Sequence, residues 1–260
     1  MKKLLLLLLT GTCLLAGCSG NTSKLERIQK NGQISIFTNA EFQPYAFIQN
    51  NEIVGVDIEI GKAIADRLGV KMDLSNATFD GIVASIASGK GDLAIAGITV
   101  RPDRQESVDF SIPYVDSVQY IILPQGSDIK VLEDLAGLTV GAQAGTTGAM
   151  LVQDEIDKGV LLGLGSAVNE YASPVSAMQD LIVGRISAVV IDELVAISIA
   201  NANDGYVAIP FIYDSGSAVT EQFAVAIQKG NEDLLKIVNE VIQDMLDKNL
   251  IEQYANDFSS

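Results

Sequence analysis

Histidine is absent from all 260 residues. That removes at once the side chain that most often serves as general base near neutral pH, as metal ligand and as the middle member of a nucleophilic triad. Catalysis by carboxylates or by a serine–lysine pair stays open; histidine chemistry does not, and no metal ligands or cofactor are expected. Cysteine is almost as scarce, with Cys13 and Cys18 alone, so no disulfide framework holds the fold. Positive charge is in deficit: 17 Lys and Arg stand against 33 Asp and Glu, for a net charge of −16. Phosphate backbones are repelled by that sign, which argues against nucleic acid as a partner, and the acidity is read as solubility.

What is present begins with "MKKLLLLLLTGTCLLAGC". A charged start, an apolar run too short to span a bilayer comfortably and a zone of small residues read as an export signal over residues 1–17. The "LAGC" at 15–18 resembles the lipobox of bacterial lipoproteins, in which the cysteine thiol is acylated and becomes the first mature residue. The resemblance implies lipidation at Cys18. Two acyl chains give stable anchoring, because each buried CH2 contributes about 0.8 kcal/mol and one chain alone is marginal. The mature protein is then expected on the cell membrane, held by its lipid only and facing the exterior or the periplasm. A lipidated tether is expected over 18–30, polar and uncharged in "SGNTS" (19–23).

Beyond the tether, strand and helix patterns alternate. "ISIFT" (34–38) reads as a strand, and 56–69 as a helix with Ile60, Ala63, Ile64 and Leu68 on one face and Gly69 at its end. "VKMDL" is a strand, "FDGIVASIASGKG" a helix, and "DLAIAGI" (92–98) a continuous apolar strand. A second series runs from about 130, opening with helix "VLEDLAG". The last helix starts with Asn231 as N-cap and carries Leu234, Leu235, Val238, Val241, Ile242 and Met245 on its apolar face. This order predicts an α/β fold of mostly parallel sheets covered by helices. Two extended stretches, "SVQYIILP" (117–124) and "TEQFAVAIQKG" (220–230), bracket the middle of the chain. The simplest topology has a first lobe from 31–119 and 220–260, a second lobe from 120–219, and a two-strand hinge.

Three stretches carry chemistry. In "AGITVRPDRQ" the apolar strand ends at Gly97, and Thr99 and Arg104 lie beyond its C-terminal edge, where open parallel sheets bind ligands. A guanidinium there can grip a carboxylate through two parallel bonds, unless it is a solvated surface charge. In "VGAQAGTTGAM" (140–150) a strand runs into a Gly- and Thr-rich turn, with Gln143, Thr146 and Thr147, and then a helix. Free N–H groups at a helix start favour an anion, or the threonines are ordinary caps. No "GK[ST]" follows, so it is not a phosphate-binding Walker loop. In "AVVIDELVA" an apolar strand delivers Asp192 at its end, either to take an ammonium or to cap the next helix. A cation on one side with a helix end and a carboxylate on the other match a zwitterion.

The stretches "NAEFQPYAF", "GVDIEIGKAIADRLG", "FDGIVASIASGKGDLAIAGITVRPDR", "VDFSIPY", "VGAQAGTTG", "GRISAVVIDELVA" and "FAVAIQKGNEDLL" resemble, in order and from about residue 34 to the end, the bacterial extracellular solute-binding proteins of family 3, which feed ABC transporters. The resemblance implies a type II periplasmic-binding-protein-like fold that closes on a free polar amino acid and delivers it to a permease, as a monomer. It also implies that Arg104, with the Thr99 and Thr147 amides, holds the ligand carboxylate, that Asp192 and the Gly97 carbonyl hold the ammonium, and that Phe42 and Phe79 enclose the side chain. Asn39 stands where many members have Asp. Arg101 stands where they have a small polar residue and reads as surface. Glu41, beside Phe42, is available to a cationic side chain, and Gln143 to a neutral amide. A cationic ligand is put slightly ahead of a neutral one such as glutamine. An enzyme on the same scaffold, dehydratase-like, is the alternative from another class.

Overall fold

The computed structural model describes residues 22–259; the stretch expected to be an export signal and Cys18 lie outside them. In chain order the elements are helix α1 (Lys24–Asn31), strands β1 (Gln33–Thr38), β2 (Glu41–Phe42), β3 (Ala46–Gln49) and β4 (Glu52–Val54), α2 (Val56–Leu68), β5 (Lys71–Asn76), α3 (Phe79–Ala87), β6 (Leu93–Ala94), α4 (Pro102–Gln105), β7 (Val108–Phe110) and β8 (Val115–Pro124). A 3-10 turn (Leu132–Leu135) leads into β9 (Thr139–Gln143), α5 (Thr147–Lys158), β10 (Ala167–Tyr171), α6 (Pro174–Ile182), β11 (Ala188–Asp192), α7 (Glu193–Asn201) and β12 (Tyr206–Pro210). The chain ends with β13 (Thr220–Phe223), β14 (Ala226–Gln228), α8 (Glu232–Asp247) and α9 (Leu250–Ser259).

These elements form two lobes. The first is built on a sheet of order β5-β1-β6-β14-β7, the second on β10-β9-β11-β8-β12. Each holds a parallel triplet, β5-β1-β6 and β10-β9-β11, and is then mixed, because the strands next to the triplets run antiparallel. Strand β8 leaves the second sheet and pairs antiparallel with β13 from Val115 to Val118, so these two strands form the hinge.

The topology fixes where a ligand site belongs. β5 lies on one side of β1 and β6 on the other; β10 and β11 flank β9 in the same way. At such a switch point the crossovers after neighbouring strands leave in opposite directions, and the crevice beyond the strand ends is open. Asn39 follows β1 and Gln143 ends β9. The two switch points face each other, since Gln143 Nε2 donates to Asn39 Oδ1 at 3.2 Å.

Several local expectations change. Residues 24–30 are not tether: Ser23 and Glu26 form a capping box, Ile28 is buried, and Lys24 Nζ donates to the Gly91 carbonyl at 3.1 Å. The "DLAIAGI" stretch is buried throughout, yet only Leu93–Ala94 is regular strand, because the backbone bends to a left-handed Gly97 at φ +56°. "VLEDLAG" makes a single 3-10 turn. Asn231 precedes α8 without capping it, its side chain donating to Gln228 O instead; Leu234, Val238, Val241, Ile242 and Met245 are buried as the periodicity requires.

Candidate functional site

Arg104 is set by a short helix begun by Pro102 at its first turn, where a missing N–H costs nothing. It is buried, not a solvated charge. Nη1 donates to the Thr99 carbonyl at 2.9 Å within the first lobe, and Nη2 donates to the Gly145 carbonyl of the second lobe at 2.9 Å. Its guanidinium carbon stands 5.6 Å from the centre of the Phe79 ring, within cation–π range. Burial, with the charge of Arg101 nearby, lowers its pKa to about 10, so it remains a cation at neutral pH. Gly145 permits the approach: its φ is +76°, and a Cβ there would lie 2.9 Å from the Asp80 backbone.

Around this guanidinium the turn residues converge. The Thr147 hydroxyl donates to Thr99 Oγ1 at 2.9 Å, joining the two lobes again. Thr146 is a true N-cap of α5, accepting from the Ala149 N–H at 3.2 Å while its hydroxyl donates to Gln143 O at 2.7 Å. Gln143 Nε2 is shared between Asn39 Oδ1 and the Ala172 carbonyl, and Asn39 Nδ2 donates to the Ala77 carbonyl at 2.9 Å.

Asp192 occupies the N-cap position of α7 but does not cap it. Its buried carboxylate instead accepts from Gln119 Nε2 at 3.1 Å. Glu221 of β13 meets the same nitrogen, and also accepts from the Thr99 hydroxyl. Burial first, and the Glu221 charge second, hold the Asp192 carboxyl well above the usual carboxylate range.

Gly97 is held from behind. Its N–H donates to Asp57 Oδ2 at 2.8 Å, and the Tyr114 hydroxyl donates to Oδ1 at 2.8 Å. Complete burial pushes the Asp57 carboxyl up to about 7, partly offset by those two donors. Phe42 lies over Gly97 and stacks on Tyr45 at 5.5 Å between ring centres, with Phe223 at 6.1 Å.

Arg104, Thr99, Thr147, Gly97, Asp192, Phe42 and Phe79 therefore come together with Thr146, Gln143 and Asn39 around one junction. Glu41 does not join them. Side chains alternate along a strand, so with Phe42 turned inward Glu41 turns outward, to an exposed groove with Met178 and Ser198. Arg101 is no loose surface charge: its side chain is 13% exposed and its guanidinium pairs through two bonds with Asp103, at 3.0 and 2.8 Å. Sequence reasoning missed Glu221, Gln119, Asp57 and Tyr114. A signal existed for the first two: Glu221 shares a strand face with Phe223, and Gln119 with Ile121, both core residues.

Known proteins carry the same architecture. The family model for bacterial extracellular solute-binding proteins, family 3, matches residues 34–259. The chain is 30% identical over 225 residues to the L-cystine-binding protein TcyJ of Escherichia coli (strain K12), covering 85% of this chain and 80% of that protein. The amino-acid ABC transporter substrate-binding protein AbpA from Streptococcus pneumoniae, solved bound to L-arginine, superposes with a TM-score of 0.82 at 29% identity, over 90% of this chain and 97% of that one. The ancestral amino acid-binding protein AncCDT-1, a precursor of cyclohexadienyl dehydratase, gives a TM-score of 0.81 at 29% identity, over 92% of this chain and 100% of that one. On a match that takes in both sheets and both switch points, the chain belongs to the bacterial extracellular solute-binding proteins, family 3.

Proposed function

We propose that the protein is the substrate-binding component of an amino-acid ABC importer, and that it captures a free cationic L-amino acid between its lobes for delivery to the permease. The observation that carries this reading is the opposition of Arg104 to Asp192 in one buried junction. Arg104 has five donors and spends two on carbonyls, so a ligand carboxylate can be gripped as well. Thr99 and Thr147 stand beside it with their backbone N–H groups, the latter at the first turn of α5, where a helix favours an anion. Asp192 and the Gly97 carbonyl take the ammonium, and Phe42 and Phe79 flank the stem. AbpA, similar over nearly the whole length, was solved with arginine, and the cystine-binding relative handles another amino acid.

Isothermal calorimetry of the purified protein against arginine, lysine, glutamine and glutamate tests the reading. Arginine or lysine should bind most tightly and glutamate not at all; glutamine preferred over both would replace the cationic assignment by the neutral one. A dehydratase-like activity is the second reading, favoured by the buried carboxyl of Asp192, held well above the usual carboxylate range by burial and by the neighbouring Glu221 and so suited to general acid work. Product formation on incubation with amino acids or their cyclic precursors would establish it.

The lipobox at 15–18 further supports anchoring through Cys18, and among the described residues no helix is long and apolar enough to cross a membrane. Cys18→Ser should move the protein out of the membrane fraction; unaltered fractionation would remove the anchor from the assignment.

A further inference from the structure

Glu221 is a carboxylate that the reading above leaves without a task. It is buried on hinge strand β13, and its two oxygens accept from the Thr99 hydroxyl and from Gln119 Nε2. The Asp192 carboxyl lies within hydrogen-bonding reach of it and accepts from that same nitrogen at 3.1 Å. One neutral amide between two buried carboxyls balances neither charge. Gln119 is itself poorly served, its Oε1 being buried with no partner.

Arg104 is the cation that acts on both carboxyls. The junction thus sets one positive charge against two negative ones. A zwitterionic ligand brings no net charge and leaves that imbalance in place; a ligand with one further positive charge cancels it. In a buried site the difference is large, because an uncompensated ion there has lost its hydration without gaining a partner. We propose that Glu221 is a specificity residue of the cleft: with Asp192 it forms a two-carboxylate end whose charge is balanced by an amino acid of net charge +1, and it thereby selects cationic over neutral ligands. This rests on the amino-acid reading above and names the side chain that decides between its two ligand classes.

Other ionisable groups also face the pair. They are Tyr45 ahead of β3, and Glu193, Asp116 and Arg101, the last paired with Asp103, which line a cavity of about 610 Å³ together with Glu221, Thr99 and Thr147. A neutral ligand can be accepted if Asp192 keeps a proton, whereas a cationic one needs it ionised. The raised Asp192 pKa agrees with a proton held there when no cation offsets it.

The test is calorimetry of arginine and glutamine on wild type, Glu221→Gln and Glu221→Asp, with circular dichroism as the check of folding. Glu221→Gln should weaken arginine at least about tenfold and leave glutamine unchanged or tighter, and Glu221→Asp should keep the wild-type preference. An equal loss for both ligands would make Glu221 a structural hinge residue, and no change in either would leave it outside recognition; each overturns the proposal. If Glu221→Gln does not fold, the wild type serves: its preference for arginine should narrow at pH 5 relative to pH 8, and a constant preference overturns the proposal. A wild type that binds no amino acid refutes the underlying reading instead, and is told apart from these by the wild-type titration alone.

Discussion

The two ends of the cleft are built on different principles. At the arginine end the guanidinium is positioned before any ligand is considered, by the two carbonyls it bonds and the Phe79 ring beside it. At the carboxylate end two acids lean on one amide, and that amide has an orphan oxygen. The first end is preorganised, so little ordering cost remains when it binds. The second is strained in charge, and a cation relieves it. Position is supplied by one side and driving force by the other.

The comparison is broken most severely at Arg104. Arg104→Ala should abolish measurable amino-acid binding, a loss of about a hundredfold or more, since charge-assisted bonds contribute about 1.5–3 kcal/mol each. The fold should survive, because what is lost inside the protein is two hydrogen bonds to the Thr99 and Gly145 carbonyls, the Phe79 contact and the attraction to Asp192 and Glu221, all at the junction between the lobes. Near-native affinity in a folded variant, by calorimetry, would show that the arginine end is a latch between lobes and no part of recognition. Lysine at this position should not rescue, having no planar fork to offer a carboxylate.

How much of this was legible beforehand depends on the kind of signal each residue leaves. Arg104, Gly97 and Asp192 sit where a strand gives way to a loop or helix, a change visible as an apolar run followed by glycine or charge. Glu221 and Gln119 lie inside extended stretches that read as hinge and nothing more. Their inward direction follows only from the two-residue alternation with Phe223 and Ile121, a weak cue when each strand is four to ten residues long. The same alternation would have turned Glu41 away from the cleft. Asp57 and Tyr114 were out of reach, because they meet Gly97 from distant parts of the chain.

Gly97 offers a milder break. Its φ of +56° is left-handed, and a Cβ would lie 2.5 Å from Phe42 Cε1. Gly97→Ala must therefore move an aromatic ring that packs against two others, at a cost of about 1–3 kcal/mol. The thermal midpoint should fall by several degrees, and affinity should drop about tenfold as the Gly97 carbonyl is displaced. A lower midpoint with unchanged affinity would confine Gly97 to packing and leave Asp192 alone at the ammonium.

The smallest effect at pH 5, and the one that resolves the support beneath Gly97 most finely, is expected at Tyr114. Its hydroxyl donates to Asp57 at 2.8 Å and is one of two donors that counter the burial of that carboxyl. Between the ordinary value of 3.8 and the folded value of about 7 the native protein binds a proton at Asp57 that the unfolded chain has released. Asp57 therefore makes stability fall as pH rises through that window, and the fall ends once the folded group is ionised. Tyr114→Phe removes a donor that favours the ionised form, so the Asp57 pKa should rise further and the decline should continue to higher pH. At pH 5, with the carboxyl protonated, the variant should lose about 0.5–1.5 kcal/mol, the value of a neutral hydrogen bond. At pH 8.5 the loss should grow to about 1.5–3 kcal/mol, since a charged acceptor is then deprived. Urea melts of wild type and variant at the two pH values read the difference directly. A deficit that does not change with pH would mean that Asp57 keeps one protonation state from pH 5 to pH 8.5, so that its titration does not modulate the support beneath Gly97.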